Sequence, residues 1–79
     1  MKSLNKTQFK LIYNMYNGNI YNETLRNARD IDQWLKLVEL YPDIFSARRV
    51  SHSEYTVTIS TLNGLLPLIK YNSKFEKEV

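Results

Sequence analysis

Residues 22–41 read NETLRNARDIDQWLKLVELY, and the fold turns on how this stretch is divided. As one long helix it would place Leu25, Ala28, Ile31, Leu35 and Val38 along a single apolar face. As two helices it has a capping residue for each. Asn22 caps a short first piece, NETLRNA, and Asp30 with Gln33 three residues later forms a second capping signature ahead of WLKLVELY. A break near residues 27–29 therefore has a mechanism, although no glycine marks it, and the two-helix division is the expectation carried forward. Pro42 ends the segment either way, because the residue before a proline is pushed out of helical geometry.

Upstream, the signals for a helix over residues 5–17 are local and mutually consistent. Asn5 is placed to accept from the amide of Gln8 while Gln8 reaches back, a capping box with Asn in place of Ser or Thr. Leu4 outside and Phe9 inside form the hydrophobic staple, and Leu4, Gln8, Leu11, Ile12, Met15 and Tyr16 recur at helical spacing. Gly18 follows where a left-handed residue is expected to close the helix.

Downstream of Pro42 the period changes from helical to alternating. Residues 44–51 read as a strand, and Tyr55, Val57 and Ile59 alternate with Thr56, Thr58 and Ser60 in a second one. Residues 51–54 form the polar hairpin tip between them. A last helix begins around Thr61 or Asn63 and carries Leu65, Leu66, Leu68 and Ile69; Pro67 fits only its first turn, so this helix is short or displaced towards Lys70. Lys74, Glu76, Lys77 and Glu78 then mark a solvated end, which divides the chain into a domain over residues 1–71 and a polar tail over 72–79.

Composition narrows the function classes. A chain of 79 residues with 43% hydrophobic and 24% charged side chains is one small folded domain, its core supplied by six Tyr, three Phe and one Trp. The absence of cysteine excludes a disulfide framework and thiolate-held metal, and one histidine makes no transition-metal cluster. Gly18 and Gly64 are too far apart to cradle a phosphate. No catalytic constellation is visible, so the expectation is a non-enzymatic protein without cofactor or metal. MKSLNKTQFK lacks the apolar run of a secretory signal and no stretch approaches the ~20 apolar residues that span a bilayer, which points to a cytoplasmic protein without a membrane partner. Asparagine is abundant and lysine outnumbers arginine, as in AT-rich coding genomes; with the small size, this usage looks like that of a phage, virus or mobile element.

Helix, short helix, helix, β-hairpin and terminal apolar helix is an order that resembles the winged helix-turn-helix domains of MarR-like and PadR-like transcription regulators. The resemblance rests on LNKTQFKLI at the first helix, LVELYPDIFSARRV at the end of the third helix and the first wing strand, and EYTVTISTLNG at the second wing strand, and it covers residues 4–69. It implies an α+β fold of three helices, a β-hairpin wing and a short C-terminal helix. It also implies that residues 30–41 enter the major groove of double-stranded DNA while residues 48–54 touch the backbone or minor groove. The DNA-binding set is then Arg29, Gln33 and Lys36 on the helix with Arg48, Arg49 and His52 on the wing, and Lys6, Lys10, Lys70 and Lys74 extend the footprint. A regulator acting by operator occupancy is the function this implies.

Each of these residues has a plainer role beside the functional one. Arg48 and Arg49 also serve to blunt an edge strand, His52 to make a turn, Trp34 to fill the core, and Asp30 and Asp32 to complement a helix dipole. Leu65, Leu66, Leu68 and Ile69 are too apolar a group for the surface of a monomer, so that part of it closes the core and the rest is a surface for a homodimer. The outward side of residues 30–41 is acidic on balance, with Asp30, Asp32 and Glu39, and carboxylates repel phosphates. Together with Tyr13, Tyr16 and Tyr21, this acidity motivates an alternative: a phage-encoded protein-binding module that inhibits a host enzyme or defence complex.

Overall fold

A computed structural model describes residues 3–78 of the chain; residues 1 and 2 of the expected domain and residue 79 of the expected tail lie outside them. The first helix, α1 (Lys6–Asn17), starts as its sequence predicts. Asn5 Oδ1 accepts from the Gln8 amide at 2.8 Å and Gln8 Oε1 accepts from the Asn5 amide at 3.1 Å, which satisfies two of the helix's orphan donors. Phe9, Ile12 and Met15 form its buried side.

The end of α1 corrects the expectation at Gly18, which is right-handed with φ −86°. The left-handed residue is Asn19, with φ 53°. The amide of Ile20 donates to Met15 O at 2.9 Å and that of Asn19 to Tyr16 O at 3.2 Å, the paired bonds of a Schellman ending displaced by one residue. A Cβ at Gly18 would lie 3.1 Å from Ile20 Cδ1, so a side chain there would make the exposed Ile20 give by a few tenths of an ångström. Because Asn in this region is still strained relative to Gly, Asn19→Gly is expected to raise stability by about 0.5–1 kcal/mol, read as a higher urea midpoint; a lower midpoint would show that the Asn19 side chain is needed there.

The short helix expected over NETLRNA is a strand, β1 (Asn22–Leu25), and the long-helix division fails with it. Two turns of isolated helix are unstable in water, whereas a strand here gains a ladder to a distant partner. Asn27, not Asp30, caps the helix that follows, accepting from the amides of Arg29 and Asp30 at 2.9 and 3.3 Å, so that α2 (Ala28–Leu40) starts ahead of the expected point. Two helices rather than three therefore precede the hairpin.

The hairpin strands are β2 (Phe45–Ser51) and β3 (Glu54–Ile59), and Ser51 pairs with Glu54 so that the tip is His52 and Ser53 alone. The sheet is antiparallel in the order β1-β3-β2, with Asn22 opposite Thr58 and Leu25 opposite Tyr55. A register shift between Arg49 and Ser51 makes a bulge near the tip. Alternation along these strands puts Leu25, Val57, Ile59 and Phe45 into the core, where they meet Trp34 and Leu37 of α2 and the buried side of α1. Asn22, Thr24, Ser46, Arg48, Thr56 and Thr58 occupy the opposite, polar face.

Helix α3 (Leu62–Tyr71) is capped by Thr61, whose hydroxyl accepts from the Asn63 amide at 3.2 Å. The helix starts at the point expected, between Thr61 and Asn63, but Pro67 lies in its second turn rather than its first, so the helix is neither cut short nor displaced towards Lys70 as expected. Asn63 and Pro67 are both exposed, so the carbonyl that loses its amide partner is on the water side. A short 3₁₀ helix, Ser73–Glu78, follows. Of the residues in the expected polar tail, Ser73, Lys74, Glu76 and Lys77 are exposed, but Phe75 and Asn72 pack against the domain. Phe75 packs on Phe9 with ring centroids 5.6 Å apart, and Asn72 is buried, its Oδ1 accepting from the Leu4 amide at 3.0 Å while its Nδ2 donates to Leu68 O at 2.8 Å.

The result is a small α+β domain of three α-helices and a three-stranded antiparallel sheet. No helix among the described residues is long and apolar enough to cross a membrane.

Candidate interaction surfaces

Arg48 and Arg49 are consecutive on β2, and a strand sends consecutive side chains to opposite faces. Arg48 stands exposed on the polar face, beside Thr56. Arg49, opposite Tyr55, turns along the strand to the tip, where its Nε donates to Ser51 O at 3.2 Å and its Nη2 to His52 O at 3.4 Å, with His52 Nδ1 also at 3.4 Å. It braces the bulge and the turn.

Arg29, Gln33 and Lys36 share one stripe of α2, spaced four and seven residues along it. Two of the three are engaged within the domain. Gln33 Oε1 accepts from Asn5 Nδ2 at 3.3 Å, tying α2 to the start of α1, and Lys36 Nζ lies 3.2 Å from Asp32 Oδ2 in an exposed pair worth about 0.3–0.5 kcal/mol. The six expected DNA ligands are thus not gathered on one surface: three lie along α2, two meet at the hairpin tip, and Arg48 is on the far side of the sheet.

The apolar C-terminal group is also corrected. Leu65, Leu68 and Ile69 are buried in the domain's own core, which leaves Leu66 alone of the four at the surface. Among the described residues, no group of three or more His, Asp or Glu side chains is placed to hold a metal ion.

Two clefts border α2. One, of about 360 Å³, lies between α2 and the hairpin tip, with Ala28, Ile31 and Leu35 on the helix side and Tyr55, His52 and Ser53 opposite. Its lining is mainly apolar, and Leu35 is 39% exposed there although its neighbour Trp34 is buried. Arg26 and Asp32 complete the rim, each in an ion pair: Arg26 Nε lies 2.8 Å from Glu54 Oε2. The other cleft, also about 360 Å³, separates α1 from the first turn of α2 and is of mixed polarity, lined by Thr7, Lys10, Leu11, Asn14, Arg29 and Asp30 among others.

No family model, curated protein or solved structure matches the chain. The surfaces are therefore read from their own chemistry. Sequence reasoning assigned Leu35 to the core-facing side of a helix and did not single out Arg26 or Tyr55 as surface residues. A signal was present: Ala28, Ile31 and Leu35 form a second apolar line on α2, adjacent to the one through Trp34 and Leu37, and one helix buried on one side needs only one.

Proposed function

We propose that this domain is a protein-binding module that takes part of a partner protein into the groove between α2 and the hairpin tip. The observation that supports this reading is the apolar strip of Ala28, Ile31 and Leu35 facing Tyr55 across an open cleft, on a domain whose core is already filled by Trp34, Leu37 and Phe45. Surface leucines are ordinary when single, but a concave apolar line with polar ends is what partners dock onto. Leu35→Arg places a charge in the groove without touching the core. Affinity capture from cell lysate with the wild-type domain is expected to yield a stoichiometric partner, and the variant to retain about one-tenth of it or less, a loss of about 1.4 kcal/mol or more. Equal recovery by folded wild type and variant would remove the groove as the binding surface.

A second reading, double-stranded DNA, is favoured by a different observation. Lys10 and Arg29 line one cleft from two helices, and Arg48 stands on a sheet face rich in hydroxyls, with no ion partner among the described residues. Cations and threonine hydroxyls are phosphate ligands, and a hairpin beside a helix is compatible with a winged domain. If duplex DNA binds, replacing Lys10 and Arg29 with alanine is expected to reduce the slope of log affinity against log salt by about 2. No mobility shift at micromolar protein and low salt would dispose of this reading.

A further inference from the structure

Resting on the protein-binding reading, we infer that the groove between α2 and the hairpin tip accepts an amphipathic acidic segment of a partner protein, with apolar side chains seated on Ile31 and Leu35 and carboxylates next to them reaching the hairpin end. Charge at the rim carries the argument. Asp32, the carboxylate in the lining, is paired with Lys36 at 3.2 Å, and Glu54, next to the lining residues Ser53 and Tyr55 in sequence, is paired with Arg26 at 2.8 Å. The guanidinium of Arg49 meets the carbonyls of Ser51 and His52 and the His52 ring, and no carboxylate among the described residues. Arg26 spends its Nε on Glu54, and with its side chain 73% exposed it presents the rest of its planar fork to solvent, where a second carboxylate fits. The uncompensated charge at the hairpin end is therefore cationic. Arg26 lines the groove, Arg49 contacts its lining residue His52 and Lys36 its lining residue Asp32, so these three cations with Asp32 and Glu54 leave one positive charge in excess, which draws in an acidic segment rather than a basic one.

The dimensions fix the spacing of the apolar anchors. From Ala28 to Leu35 the helix side of the groove runs two turns, about 10 Å, which is room for two side chains three or four positions apart on a helix, or two apart on a strand. A longer apolar repeat would run past the cleft onto polar surface.

The test is selection of a random dodecapeptide library against the whole domain. The expected result is enrichment of peptides with two apolar residues at such a spacing and Asp or Glu beside them. Leu35→Arg should weaken them at least about tenfold, and so should replacing the peptides' own Asp and Glu with Asn and Gln, a measurement that leaves the domain unaltered. Enriched peptides that need Leu35 but carry Lys or Arg overturn the acidic assignment while leaving the protein-binding reading intact. No enrichment, or binding indifferent to Leu35→Arg, overturns the groove itself. Concentration-dependent dimerisation abolished by Leu35→Arg, measured by sedimentation equilibrium, gives the groove to a second copy of this chain and likewise overturns the inference.

Discussion

Trp34→Ala is expected to be the most destabilising single substitution in the domain, read as a much lower urea midpoint than wild type. The indole is 1% exposed and meets Phe45 edge-on, with ring centroids 5.3 Å apart and planes at 76°, and Tyr41 approaches the same phenylalanine at 6.4 Å. Truncating a tryptophan in such a place costs about 3–5 kcal/mol, through lost transfer energy and a cavity that rigid neighbours cannot close. Domains of this length have a total stability of about 4–12 kcal/mol, so this one substitution removes between about a quarter and all of it. Trp34→Phe is informative beside it. Nε1 of Trp34 is buried without a hydrogen-bond partner, and an unpaired donor costs about 1–3 kcal/mol. Phenylalanine loses volume but also removes that unsatisfied group, so its urea midpoint should lie much nearer wild type than that of the alanine variant. A loss below about 1 kcal/mol in Trp34→Ala would mean that the helix and sheet do not meet through this ring.

Asn72→Ala should be the next most damaging change, at about 2–3 kcal/mol, because it breaks two buried hydrogen bonds and leaves the Leu4 amide without an acceptor. Asn72→Asp separates the two halves of the interaction. Its carboxylate still accepts from Leu4 but turns a second acceptor towards Leu68 O, so it should be no better than alanine. Urea unfolding gives the magnitude, and amide exchange gives the place, with protection of Leu4 lost in the alanine variant. Unchanged exchange at Leu4 together with a loss below about 0.5 kcal/mol would show that the two ends are not joined there.

What could be read from the sequence was what neighbouring residues decide. The box of Asn5 and Gln8 lies within one turn, and the alternation Tyr55, Val57, Ile59 within one strand, and both formed as read. Asn22–Leu25 was misread because its local signals, an Asn cap and helically spaced apolar residues, suit a helix, whereas the ladder to Glu54–Ile59 that makes it a strand lies far along the chain. Asn72 looked like the first residue of a tail because polar residues follow it; its partner is Leu4, at the other end. Arg48 and Arg49 were taken as one charged unit, although adjacency in a strand separates side chains rather than joining them. The groove escaped for the same reason as β1: its two walls come from separate elements, and only the surplus apolar line on α2 announced it.

The pairing of Leu4 with Asn72, and of β1 with β3, also sets a timetable for biosynthesis. At ~5–20 residues per second, translation hands over α1 and β1 well before their partners exist. The ladder of β1 must wait until Glu54–Ile59 has left the ribosome, and the Leu4 amide waits longer still, for Asn72. Until those later residues are made, Phe9, Ile12 and Met15 of α1 lack the neighbours that cover them in the folded domain.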